Sequence, residues 1–134
     1  MMTVRQLLAG KAAGIVTISS QESAFEALQK MAQADIGALI VTEGKRVVGI
    51  FSERDYARKV NLRGKTAMAC QVGELMTRRV YYAEPAQTIN DIMALMTAKR
   101  IRHLPVIEKE ELVGVISIGD VVKAVIADHE FTIQ

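Results

Sequence analysis

The sequence predicts an α+β fold built by duplication, two tandem β-α-β-β-α units packed by their sheets around a pseudo-twofold axis. The first observation behind this is internal repetition. Displacing the chain against itself by 65 residues superposes residues 23–59 on 88–124 without a gap. Nine of the 37 aligned positions are identical: Met31/Met96, Ile36/Ile101, Leu39/Leu104, Val41/Val106, Glu43/Glu108, Val48/Val113, Gly49/Gly114, Ser52/Ser117 and Asp55/Asp120. Self-similarity at a fixed period is the mark of a repeat architecture. The second observation is that both copies carry the same succession of helical and extended patterns.

A short extended run at 15–18 opens the first copy. Ala24, Ala27, Leu28, Met31 and Ala32 then recur at helical spacing behind Ser23, a residue type that caps helix starts, and predict an amphipathic helix. Residues 38–42 and 46–51 are apolar, β-branched runs separated by Glu43-Gly44-Lys45, a hairpin pattern, and a second helix is expected at 53–60. The second copy repeats each step. An extended run lies at 80–83, Ile89, Ile92, Met93 and Met96 recur behind Thr88, a hairpin is expected from 103–107 and 112–116, and a helix at 118–127. Further upstream, Val4-Arg-Gln-Leu-Leu-Ala matches Val72-Gly-Glu-Leu-Met-Thr at an offset of 68. Residues 61–71 read as a surface connection, so the chain is divided into a first domain of residues 1–65 with the N-terminal segment and a second of 66–134 with the C-terminal tail. Half a chain of about sixty residues buries too little apolar surface to stand alone, so the two copies are expected to share one core.

Composition narrows the function. The 134 residues are 50% apolar and 24% charged, which suits a folded globular protein. The longest apolar run, Ile92 to Met96, has five residues against the ~20 of a membrane span, and the first sixteen residues hold no continuous apolar stretch. No membrane partner is expected, and a cytoplasmic location is the default. The single Cys70, His103 and His129 make no metal-ligand pattern, so no metal is expected. A net charge of +2 without a basic stripe speaks against a nucleic-acid partner. Neither a P-loop nor a dinucleotide-binding glycine fingerprint occurs.

The pattern Gly-apolar-apolar-Ser-x-x-Asp occurs twice, at Gly49 to Asp55 and at Gly114 to Asp120. One reading is a capping box, although that box prefers the longer Glu or Gln at its third helical position. The other is a ligand site: a helix start at a strand end offers N–H groups and a positive dipole end to phosphate, and a carboxylate one turn in can accept hydrogen bonds from a ribose diol. Gly49 and Gly114 fit either a strand kink or a close approach of backbone to ligand. Arg102-His103-Leu104-Pro105 reads as a basic turn entering a strand, Pro105 marking its edge or first residue.

These motifs, Ile101-Arg-His-Leu-Pro-Val, Gly49-Ile-Phe-Ser-Glu-Arg-Asp and Gly114-Val-Ile-Ser-Ile-Gly-Asp, together with the duplicated order of elements, resemble the cystathionine-β-synthase (CBS) domain family over about residues 4–128. Two such domains in tandem form a Bateman module, and the extent of the match leaves no room here for an attached catalytic domain. The resemblance implies a regulatory, non-enzymatic module that binds adenosine-containing ligands, AMP, ADP, ATP or NAD-type dinucleotides, in clefts between its domains. It places Ser52 and Ser117 beside phosphate and Asp55 and Asp120 on ribose. It also implies that Arg102 and His103 reach the nucleotide held by the other domain, with Arg54 a further candidate in the reverse direction. Adenine would lie among Val16, Ile18, Ile36 and Ala38 in one cleft and Val80, Tyr82, Ile101 and Pro105 in the other, all of which also suit a core. The first copy has Gly37-Ala38 where the second has Arg102-His103, so the clefts are expected to be unequal. A homodimer and an unidentified regulated protein are the implied partners. The alternatives are a nucleotide-processing enzyme, for which no nucleophile and base are paired in the sequence, and, with less support, a nucleic-acid-binding adaptor.

Overall fold

The structure, a computed structural model, describes residues 1–11 and 15–133. It forms two compact units whose limits differ from the repeat halves. One is continuous, Val16–Val80; the other is split, joining Met1–Ile15 to Tyr81–Gln134.

In the continuous unit β1 (Thr17–Ser19) runs parallel to β2 (Ala38–Glu43), which pairs antiparallel with β3 (Arg46–Ser52) in the order β1-β2-β3. The helix α2 (Ala24–Ala34) connects β1 to β2; Ser23 Oγ caps it by accepting from the Glu26 amide at 3.1 Å. Its apolar positions Ala24, Ala27 and Met31 are buried against Ile18, Leu39, Val41 and Phe51. After β3 comes α3 (Glu53–Tyr56), which widens into a π turn, Ala57–Asn61. A 3-10 turn at Ala67–Ala69 leads to the short helix α4 (Val72–Leu75).

The split unit begins with α1 (Val4–Ala9), capped by Thr3 and Gln6, and continues with α5 (Ile89–Lys99), the hairpin β4 (His103–Glu108) and β5 (Glu111–Ser117), and α6 (Ile118–Ile133). Both hairpins carry a register shift at the same place, between Val41 and Thr42 and between Val106 and Ile107. The extended run at 80–83 does not become a strand; only Ala83 bridges Val106 in parallel, with Ala83 N–Pro105 O and Ile107 N–Ala83 O both at 2.9 Å. The cause lies in β4. Ile40, which pairs with Thr17 in the continuous unit, has Pro105 as its repeat counterpart, and proline has no amide to donate to the next rung.

The repeated hexapeptide explains why units and halves differ. α4 (Val72–Leu75) docks on the loop before α2, through Val72 N–Glu22 O and Gly73 N–Ser20 O at 2.8 Å, and buries Val72 and Leu75 in the continuous unit. In the same way α1 docks on the loop before α5, through Val4 N–Gln87 O at 2.8 Å and Arg5 N–Pro85 O at 3.0 Å, and buries Val4 and Leu7. The helix at the start of each repeat half thus completes the core of the unit formed around the other half. Where size led us to expect one shared core, the buried apolar side chains form two clusters, one within each unit.

Candidate functional site

Each unit places its Ser-x-x-Asp segment where the second strand of its hairpin turns into a helix. At the end of β3, Ser52 Oγ accepts from the Asp55 amide at 3.1 Å, while Asp55 Oδ2 accepts from the Ser52 amide and hydroxyl, both at 3.0 Å. Asp55 Oδ1 faces Lys59 Nζ at 3.1 Å and Thr77 Oγ1 at 3.5 Å, and Lys59 also donates to the Leu75 carbonyl at 2.8 Å. At the end of β5, Ser117 Oγ accepts from the Asp120 amide at 3.1 Å and Asp120 Oδ2 accepts from the Ser117 amide at 2.9 Å. The cation here is Lys11, whose Nζ lies 2.7 Å from Asp120 Oδ2 and 2.6 Å from the Val115 carbonyl. The capping box therefore closes with aspartate at both sites, and again at Thr88 and Asp91. The shorter acid reaches the cap amide, so the preference for Glu or Gln did not count against capping here.

Electrostatics differ between the two. Burial works to raise the Asp120 carboxyl, but the Lys11 ammonium and the Ser117 amide and hydroxyl outweigh it and hold it below the ordinary aspartate value. His103 stands opposite Ser117 in the β4–β5 register. Burial lowers its affinity for a proton, Lys11 and Arg102 lower it further, and Asp120 opposes them.

The two glycines have a packing reason. A methyl group on Gly49 would come within 2.6 Å of Met76 Sδ and 3.0 Å of the Thr77 carbonyl; one on Gly114 would come within 2.7 Å of a Leu8 methyl. Both glycines let the segment at α4 or α1 lie close against a strand, which neither a strand kink nor an approach to ligand requires.

Of the residues singled out for ligand, the continuous unit holds Gly49, Ser52, Arg54, Asp55, Val16, Ile18, Ile36, Ala38 and also Val80. Ile18 is 1% exposed and belongs to the core; Val16, Ile36 and Ala38 are half-buried; Arg54 is exposed. The split unit holds Arg102, His103, Pro105, Gly114, Ser117, Asp120, Tyr82 and Ile101. Pro105 is buried inside β4 rather than at its first residue, Arg102 and Tyr82 are exposed, and His103 and Ile101 are half-buried. Val80 is the last residue of the continuous unit, two residues before Tyr82. The sequence reading missed Lys59, although its position four residues after Asp55 in a predicted helix was a usable signal. It also missed Lys11, for which a separation of 109 residues leaves none.

A profile of the CBS domain matches residues 11–61 and 72–127. The chain belongs to the CBS-domain family. This CBS-domain pair is 36% identical over 121 residues to the mitochondrial CBS domain-containing protein CBSX3 of Arabidopsis thaliana, covering 87% of this chain and 59% of the plant protein, so it spans well under two thirds of that relative. A solved CBS-domain protein from Burkholderia ambifaria MC40-6 is 47% identical, with a TM-score of 0.88 and coverage of 95% of this chain and 96% of that one. Hypoxic Response Protein I, solved with two coordinated zinc ions, is 28% identical, with a TM-score of 0.80 and coverage of 91% and 98%. Among the described residues of this CBS-domain pair, no group of three or more His, Cys, Asp or Glu could hold a metal ion, and no helix is long and apolar enough to cross a membrane.

Proposed function

We propose that this regulatory CBS-domain pair is a cytoplasmic, non-enzymatic sensor of adenosine nucleotides, AMP, ADP, ATP or an NAD-type dinucleotide, and that it acts on a partner protein as a self-associating chain. The observation that carries the reading is the fixed carboxylate with an adjacent ammonium in both units, Asp120 with Lys11 at 2.7 Å and Asp55 with Lys59 at 3.1 Å. A carboxylate oriented by its own cap amide can accept from a ribose diol, and a neighbouring ammonium can turn to a phosphate without a new charge being buried. Ser52 and Ser117 stand next to these carboxylates; Arg54, Arg102 and His103 supply further positive charge for phosphate, with adenine against half-buried Val16, Ile36 and Ala38 or against half-buried Ile101 and exposed Tyr82. Asp120 is the better ribose acceptor of the two, because Asp55 Oδ1 already faces Lys59 and Thr77.

Calorimetry with AMP, ATP and NAD tests this, together with mass spectrometry of small molecules released when the purified protein is denatured. Micromolar affinity, about −8 kcal/mol, and unchanged nucleotide after incubation are expected. Asp120→Ala removes a charge-assisted contact of about 1.5–3 kcal/mol and weakens binding tenfold or more. Absence of heat with every adenosine ligand at millimolar concentration removes the reading, and loss of stability with intact binding in Asp120→Ala assigns the carboxylate to capping alone.

A further inference from the structure

Lys11 stands two residues beyond α1, and the stretch from Arg5 to Lys11 is fastened along β5 of its own unit at three points. Arg5 Nη2 meets Glu108 Oε2 at 2.6 Å at the end of β4, and Leu8 lies over Gly114 of β5. The third fastening is Lys11 Nζ, which donates to the Val115 carbonyl at 2.6 Å and to Asp120 Oδ2 at 2.7 Å, beside the start of α6. A helix of six residues does not hold its shape alone in water, so α1 depends on these contacts and on the burial of Val4 and Leu7.

The last fastening uses the carboxylate proposed above for ribose. Asp120 Oδ2 accepts from the Ser117 amide at 2.9 Å and from Lys11, which takes up both of its lone pairs. The two adjacent hydroxyls of a ribose engage a carboxylate through both oxygens, so the second hydroxyl reaches Oδ2 only when Lys11 gives it up. Both side chains are within reach of water, 34% and 24% exposed, so the exchange needs no opening of the core.

We propose that α1 and Lys11 form a releasable strap: the ribose of an adenosine ligand and the Lys11 ammonium compete for Asp120, so that occupancy loosens α1 from β5 and raises the fraction of molecules with Val4 and Leu7 uncovered. This rests on the reading of Asp120 as a ribose acceptor. The coupling is reciprocal, so a ligand that weakens the strap binds more tightly once the strap is already weakened. A phosphate obscures this balance, because the displaced ammonium is drawn to it. Adenosine has no phosphate and meets only the competition.

Adenosine and AMP are therefore the probes, read by amide hydrogen exchange and calorimetry on the full chain. Saturating adenosine is expected to speed exchange across Val4–Ala9 about two- to fivefold, the range set by a partly exposed ion pair. A ligand that only stabilised the folded state would slow it. Lys11→Met is expected to bind adenosine more tightly by a similar factor and to lose the response of α1, while Lys11→Arg, which keeps the fastening, behaves as the unaltered chain. A gain of affinity is not something misfolding can produce. Adenosine that binds with α1 exchange unchanged or slowed, or that binds Lys11→Met no more tightly than the unaltered chain, overturns the strap and leaves the ribose reading in place. Adenosine bound by neither chain while AMP binds both overturns it as well. Silence of both probes with both chains removes the ribose reading and the strap together.

Discussion

In the continuous unit the cation beside Asp55 is Lys59, carried four residues along the same helical segment; in the split unit the cation beside Asp120 is Lys11, which arrives with α1 from 109 residues away. The repeat counterpart of Lys59 is Ala124, 8% exposed and part of the core. What the two copies retain are features set by backbone geometry and close packing: the capping box, the glycine under the neighbouring helix and the register shift in the hairpin. The positive charge beside the carboxylate is retained too, yet its source is not, because a long flexible side chain can deliver an ammonium from any segment that passes within reach. Duplication has conserved the electrostatic result and exchanged the residue that produces it.

The largest expected effect concerns which segments belong together. Leu7→Ala should destabilise the split unit by about 2–5 kcal/mol, as for other buried leucines. Hydrogen exchange should then show amide protection falling in α5, β4 and β5 while β2 and β3 keep theirs; protection lost first in residues 16–80 would break the comparison. Next come the glycines. Gly49→Ala and Gly114→Ala should each cost about 1–3 kcal/mol, with the larger loss at Gly49. There the added methyl meets the Thr77 backbone as well as Met76, whereas at Gly114 it meets only the mobile end of Leu8. Denaturant titrations that rank the two the other way would show that α4 yields more readily than α1.

Smaller changes separate the two cations. Lys11→Met should lower stability at neutral pH by no more than about 1 kcal/mol, since the pair is partly exposed. Its sharper sign is in acid. Asp120 is held below the ordinary aspartate value in the folded protein, so its contribution is present above that value and is lost as pH falls through the lower native one. Lys11→Met should make this acid-side loss shallower. The smallest effect is read by NMR titration of His103. Removing Lys11 raises its pKa and Asp120→Asn lowers it. A His103 that titrates alike with and without Lys11 would show that this ammonium does not act on the ring.

Much of this was legible in sequence because the signals are local. Ser23 and Thr88 cap the helices whose apolar spacing follows them, and both hairpins form about the polar residues between their strands. The Ser-x-x-Asp segments were found as pairs, and the capping alternative raised for them is realised at Ser52 and Ser117. What escaped depends on partners distant in the chain. Nothing in Val4 to Ala9 states which loop it will pack against, and Lys11 gives no sign of Asp120. The lost strand at 80–83 depends on Pro105, whose missing amide matters only once the parallel neighbour is known. The packing of Met76 against Gly49 and of Leu8 against Gly114 escaped as well, because those side chains are distant in sequence from the glycines.

The split unit also sets an order of assembly during translation. Residues 16–80 form a continuous stretch and can close on themselves once they have left the ribosome. Val4 and Leu7 are made before any of them, yet their backbone and core partners around Pro85, Gln87 and Ile89 do not yet exist. Val4 and Leu7 are therefore made before residues 16–80 but are covered only after them, once the residues that bury them have been made.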